Sequence, residues 1–258
     1  MAGTILYAVQ GATARITLNS PGNHNTLTTP MIQALDAALR QAQADAAVRV
    51  IVLTGEGRSF CAGADLKGGG GRSFGGSDDA PAPFVTLMET LWGTDKPIVG
   101  RIQGSAYGGG VTLAAACDVA VAVDEASFTL TEVRYGVVPG YVCVLVTHKP
   151  ALAHMIPMII SCETADAEKA LRLNLVHRVA PVAELDAAVD AVVRQFLTCG
   201  PTAVQEAKRL LRRLPALGYG AGLREAAALA SKLFSGEEAA EGMVAFQSKR
   251  LPAWVPED

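Results

Sequence analysis

The sequence has no marked excess of either charge, no paired cysteines and no hydrophobic run long enough to cross a bilayer, and each absence removes a class of function. A formal net charge of −3 at pH 7 leaves no basic footprint for nucleic acid, and no run of like charges marks a membrane surface or a polyanion. An anionic ligand would be met by a few local cations. Five cysteines, Cys61, Cys117, Cys143, Cys162 and Cys199, are scattered without a Cys-x-x-Cys pair, which argues against a disulfide framework and against a zinc site. His148 and His177 have no partners at metal-ligand spacing, so packing or surface roles are expected. No apolar stretch approaches the length of a transmembrane helix. The amino terminus, MAGTILYAVQ, lacks a basic segment followed by a sustained apolar core and does not read as a signal peptide. A cytoplasmic chain with reduced thiols is the expectation.

What is present is an ordinary α/β composition. With 258 residues, 50% hydrophobic, and 26 glycines, the chain can build one large core with a helical appendage. Residues 4–9 and 14–18 alternate as two strands joined at Gly11. Thr29, with Pro30 in the first turn, reads as the cap of a helix whose Met31, Leu35, Ala38 and Leu39 share one face. Segments 48–53, 97–102 and 119–123 read as strands and 83–92 as a helix, an alternation that points to stacked crossover units, although no sequence repeat is detectable. Helices are expected over 151–160, 165–173, 184–197, 202–214 and 223–234, followed by a last one for which Ser235 and Glu238 form a capping box. The glycine-rich, polar stretch 67–83 is expected to be a loop that settles over ligand; its GGGG has neither the P-loop lysine nor the Rossmann spacing.

Two turns, each following a strand, concentrate the chemistry. In IQGSAYGGGVTLAAACD, Gly108, Gly109 and Gly110 stand between a strand and a run of small residues. Glycine lets a ligand approach the main chain closely, and a helix starting there points free N–H groups at whatever lies in front of it. In SFCAGADLK, Ala62, Gly63 and Ala64 are too small to shield their own N–H groups. Either stretch alone reads as a tight turn. Together they can aim one N–H apiece at the same oxygen, which is the arrangement of an oxyanion hole.

SFCAGADLK, QGSAYGGGVTLAAACD and SFTLTEVRYGVVPG, in that order and spacing, resemble the enoyl-CoA hydratase (crotonase) family, and the resemblance runs through to residues 246–254. It implies an α/β spiral of ββα turns over residues 1–198, then a helical region, 199–258, that assembles trimers or hexamers and closes the CoA pocket. It also implies that the N–H groups of Ala64 and Gly109 hold the thioester carbonyl oxygen while Glu132 works at the reacting carbons of the acyl chain. Ala62, Asp65, Leu66, Lys67 and Thr112 fall within the implied acyl-CoA site. Phe246 and Lys249 match an aromatic residue and a lysine that reach the CoA of a neighbouring subunit, with packing and solvent as their alternatives. His24, Lys67 and Arg72 are candidates for CoA phosphates, and each also reads as a solvated side chain. The implied site uses no metal and no redox cofactor, CoA being part of the substrate.

Glu132 sits among Phe128, Leu130 and Val133, and a carboxylate held in apolar surroundings has its neutral form favoured, which suits proton transfer near neutral pH. A surface glutamate on a loop is the alternative. Many hydratases carry a second glutamate two residues after the last glycine of the triplet, and here that position is Thr112, which cannot act as a carboxyl acid or base. Hydration of a 2-enoyl thioester, including a branched one, by a single carboxylate is therefore expected. The alternatives are movement of a double bond by an enoyl-CoA isomerase, dehydration of a polyketide intermediate on an acyl carrier protein, and acyl-CoA binding without catalysis.

Overall fold

The computed structural model describes residues 3–65, 74–75 and 81–256. The glycine-rich segment expected as a loop lies largely outside them, and so do Leu66, Lys67 and Arg72. The chain opens with the expected antiparallel hairpin, β1 (Ile5–Gln10) and β2 (Thr13–Leu18), turned at Gly11 with φ +55°. The helix α1 (Thr29–Ala44) follows. Its cap is Thr28, one residue earlier than expected: the Thr28 hydroxyl accepts the Met31 N–H at 3.4 Å, and Pro30 occupies the first turn. The buried face holds the four expected residues together with Ile32 and Ala42.

Three passes of strand, strand and helix come next. The first is β3 (Val50–Gly55), β4 (Ser59–Cys61) and α2 (Pro83–Gly93); the second is β5 (Ile98–Ile102), β6 (Ser105–Tyr107) and α3 (Gly109–Ala116). The third is β7 (Val119–Val123), β8 (Ser127–Thr129) and, after a 3-10 turn at Glu132–Tyr135, α4 (Gly140–His148). The longer strand of each pass enters one six-stranded sheet, β1-β2-β3-β5-β7-β10, where β10 is Arg178–Ala180; the shorter strand enters a four-stranded sheet, β4-β6-β8-β9, where β9 is Ala165–Asp166. This is the spiral of ββα turns. All six residues of β3 are buried, as expected of a parallel strand covered on both faces. The strands of the small sheet are two or three residues long, too short to carry a readable period, so the repeat exists in the topology while the sequence shows none.

Beyond α4 the expected helices are interrupted. Pro150–Met155 winds as a 3-10 segment before α5 (Ile156–Ser161). Ala165–Asp166 pairs antiparallel with β8, and the Asp166 side chain accepts the Lys169 N–H at 2.7 Å, so α6 begins at 167 and is Ala167–Arg172. An aspartate competes with the helix for its own backbone and is better placed at a cap than inside. The rest is helical: α7 (Leu185–Thr198), α8 (Pro201–Arg213), α9 (Tyr219–Phe234) and α10 (Glu237–Gln247). The expected capping box does not form. The cap of α10 is Gly236, the Ser235 hydroxyl donates to the Ser231 carbonyl, and the Glu238 carboxylate instead accepts the N–H groups of Thr202 and Ala203, both at 2.9 Å. The start of α8, Gly200-Pro201, offers those orphan donors no side chain of its own, and a carboxylate also suits the positive end of the helix dipole. No helix among the described residues is long and apolar enough to cross a membrane.

Candidate active site

The small sheet brings the site together. β4, β6 and β8 run parallel, with Ser59 opposite Ser105, Ala106 opposite Phe128 and Tyr107 opposite Thr129, so their carboxyl ends lie side by side. Residues 62–64 leave the end of β4, residues 108–112 the end of β6, and Thr131 and Glu132 the end of β8. Ala64, Gly108, Gly109, Thr112, Thr131 and Glu132 all line one cavity of about 690 Å³.

The first turn is held from outside by residues 24–27. Asn25 is fully buried; its amide nitrogen donates to the carbonyls of Glu56, Ser59 and Phe60, and its amide oxygen accepts the Ser20 N–H at 2.8 Å. The Ala62 N–H donates to the His24 carbonyl at 2.9 Å, and the Leu27 N–H donates to the Gly63 carbonyl at 2.7 Å. Leu27 and Ala64 thereby form a parallel bridge whose bonds flank Ala64, and alternation along the chain turns the Ala64 N–H the other way. Of the two alanines, Ala62 is bound into the scaffold and Ala64 faces the cavity. The His24 ring is engaged with the start of β4, its Nδ1 3.1 Å from the Ser59 hydroxyl and its Nε2 3.4 Å from Arg58 Nη2.

Gly63, at φ +79°, is where the two turns meet. A Cβ there would stand 2.5 Å from the Tyr107 carbonyl oxygen and 3.1 Å from the Gly109 nitrogen, so only glycine permits this approach. Gly109 is the first residue of α3, and its N–H therefore has no acceptor one turn back in the helix. The neighbouring Cys61 is buried, and burial pushes its thiol up to about 12, which leaves it a neutral packing group.

Glu132 completes the arrangement. Gly108, at φ +50°, lies against its carboxylate: a Cβ on Gly108 would be 3.2 Å from Glu132 Oε1. The other oxygen, Oε2, is buried and has no hydrogen-bond partner among the described residues. Burial raises the Glu132 pKa, and hydrogen bonds from its own N–H and that of Thr131 only partly offset the rise. An unpartnered, desolvated carboxylate oxygen is what a group needs to take a proton from a bound molecule. Thr112, 3% exposed, is on the same wall where a second carboxylate would stand.

The remaining wall is apolar and includes Phe74, Tyr135, Val138, Tyr141 and Val144. Phe74 and Tyr141 escaped the reading of the sequence; an aromatic residue at the start of the apolar helix GYVCVLVTH was the available signal. The scaffold role of Asn25 was also missed. Asp65 is half-buried beside Ala64. Phe246, 86% exposed, lines a different cavity at the start of α8 together with Glu238 and Trp254, and Lys249 is exposed just beyond α10, so a single chain does not bring these two to the carboxylate. His177 Nδ1 accepts the Ala120 N–H, and His148 packs edge-on against Trp92. No group of three or more His, Cys, Asp or Glu placed to hold a metal occurs among the described residues.

The profile of the family described as Enoyl-CoA hydratase/isomerase matches residues 8–257. A protein named "Probable enoyl-CoA hydratase" from Rhizobium meliloti (strain 1021) is 36% identical over 249 residues, covering 96% of each chain. A protein named "Carnitinyl-CoA dehydratase" from Salmonella typhi is 32% identical, covering 93% of this chain and 97% of its own. Among solved structures, Pseudomonas aeruginosa AtuE superposes with a TM-score of 0.90 at 31% identity, covering 98% of this chain and all of that one. The strand-end geometry and these likenesses agree, and the chain belongs to the enoyl-CoA hydratase/isomerase family.

Proposed function

We propose that this chain adds water across the double bond of a 2-enoyl-CoA, with Glu132 as the single acid–base group. The observation that carries the reading is the buried, unpartnered Oε2 of Glu132 in one cavity with Ala64 and Gly109. The thioester carbonyl oxygen lies between the N–H groups of Ala64 and Gly109, which draw electron density from the conjugated system. The Glu132 carboxylate takes a proton from water as the water oxygen bonds to the β-carbon. The π electrons move to form an enolate whose negative oxygen the two N–H groups stabilise. The same carboxyl then gives its proton to the α-carbon and returns to the carboxylate. One group suffices because the proton leaves and returns through one oxygen, and Thr112 is left to hold water or substrate by hydrogen bond. Neither a metal nor a redox cofactor enters this cycle.

Dehydration is the same path in reverse, and the name of the Salmonella relative favours this chemistry over the isomerase reading. A single carboxylate can also move a proton between carbons, so isomerisation is the second reading; dehydration on a carrier protein and binding without turnover are the others. We further propose that residues 199–258 pack between subunits of a trimer or hexamer, where Phe246 and Lys249 meet the CoA of a neighbour. Their exposure, and that of Leu211, Tyr219 and Phe234, supports that reading.

The test follows a short 2-enoyl-CoA by loss of conjugated-thioester absorbance and by product mass, beside Glu132→Gln. Gain of one water, abolished by the substitution, is the expected result. Migration of the double bond of a 3-enoyl-CoA with no water gained would make the protein an isomerase.

A further inference from the structure

The apolar wall of the reaction cavity ends at Tyr141 and Val144, and a second cavity of about 380 Å³ begins on the other side of the same two side chains. It lies between α2 and α4, with Val85, Met88, Trp92 and Leu145 in its lining. Nothing in the chemistry at Glu132 uses this space. Tyr141 is fixed in the partition. Its ring stands edge-on to Phe84 at 4.8 Å and near Phe74 at 6.0 Å, and its hydroxyl donates to the Phe74 carbonyl. Swinging it aside would forfeit two aromatic contacts and leave a part-buried hydroxyl unpaired, each of which is costly.

We propose that Tyr141 sets the length of acyl chain this protein accepts, by closing the reaction cavity against the space between α2 and α4. The substrate class is accordingly a short acyl thioester. The inference rests on reading the Glu132 cavity as an acyl-thioester site, and it adds the residue that limits the acyl group.

Binding of unreactive saturated thioesters tests it apart from turnover. Affinities of butyryl-, hexanoyl- and decanoyl-CoA are measured for the unaltered protein, Tyr141→Ala, the milder Tyr141→Leu, and Tyr141→Ala combined with Val85→Phe, which refills the second space. The unaltered protein should bind decanoyl-CoA no tighter than butyryl-CoA. Tyr141→Ala should raise the decanoyl-to-butyryl affinity ratio at least about tenfold, because each methylene moved out of water contributes a factor of about four. Tyr141→Leu should raise it less, and Val85→Phe should reverse the gain. Affinity that climbs through decanoyl-CoA in the unaltered protein overturns the inference. So does an unchanged ratio in the Tyr141 variants that fold, or a gain that Val85→Phe leaves intact. If butyryl-CoA fails to bind at all, the acyl-thioester reading falls and takes this inference with it. If it binds but crotonyl-CoA is not hydrated, only the proposed reaction falls, and the affinity ratios still decide the role of Tyr141.

Discussion

In the strand core, nearly every residue of β3, β5 and β7 is buried; backbone ladders join each strand to the next, and apolar packing covers the sheet. In α8 no residue is fully buried, and side-chain charges fasten the helix to the core. Lys208 reaches Asp118 at 2.5 Å, while Arg209 and Arg212 reach Asp95 at 2.6 and 2.5 Å. Just before α8, Arg49 holds the end of α7, donating to the carbonyls of Leu197 and Cys199. Beyond α8, the exposed Tyr219, Phe234 and Phe246 present apolar surface to solvent in the single chain. The core is complete in itself and can hold a strained, desolvated site. The terminal helices are attached by directional contacts and present a face that another surface can cover.

The sharpest way to break this comparison is to alter the unsatisfied carboxylate at the strand ends. Glu132→Gln should lower kcat by about a thousandfold, the scale of a lost acid–base group, without unfolding the protein. Because burial raises the Glu132 pKa, its carboxyl holds a proton more tightly folded than unfolded. Its contribution to stability is therefore lost as pH rises from the unfolded value through the folded pKa, and above that window the ionised carboxylate destabilises the fold. Glu132→Gln should accordingly raise Tm at neutral pH while removing activity; a lowered Tm would show that the carboxylate is a structural group.

Next in size is the contact between the two turns. Gly63→Ala forces a Cβ to 2.5 Å from the Tyr107 carbonyl oxygen at a positive φ, and should cost about 2–3 kcal/mol together with at least tenfold in kcat/KM. Denaturant melts and steady-state kinetics would check both. A neutral outcome would mean that the turns need not touch.

A smaller and more local effect is expected at the junction with α8. Burial alone would raise the Asp95 pKa, but hydrogen bonds from Arg209 and Arg212 outweigh it and the pKa is lowered. The stability it provides is present above the ordinary aspartate range and lost as pH falls through the lowered folded value. Asp95→Asn, or acidification, should therefore loosen α8 by about 1–3 kcal/mol, read as faster hydrogen exchange there while β3 and β5 stay protected. Uniform loss of protection would remove the distinction between the two regions. The smallest effect on a single chain is expected from Phe246→Ser, within about 0.5 kcal/mol because the ring is 86% exposed. Its readout is the mass of the assembly by light scattering, which should fall if the terminal helices join subunits.

The parts of this protein that could be read from its sequence are those in which neighbouring residues make the structure. The β1–β2 hairpin alternates, β7 is one apolar run, and the two small-residue turns and Glu132 each declare themselves within a few positions. The parts that could not are made by distant partners. Ala165 and Asp166 are a strand only because β8 offers an edge, and Glu238 caps a helix that began 37 positions earlier, at Pro201. Likewise the Tyr141 hydroxyl meets a carbonyl 67 residues upstream, and the Asn25 amide finds its acceptors on β4, more than 30 residues away. Local sequence marks the two turns and Glu132, whereas the apolar wall of their cavity is assembled by tertiary contact.

In the proposed mechanism one carboxylate does the work of the acid and the base. The pH dependence of kcat/KM for crotonyl-CoA hydration, measured with the unaltered protein and with Glu132→Gln, tests it most directly. A single ionisation is expected on the acid side, above the usual glutamate value because burial raises the Glu132 pKa, and that limb should be lost with the activity in Glu132→Gln. Two acid-side ionisations, or a limb that survives the substitution, would contradict it.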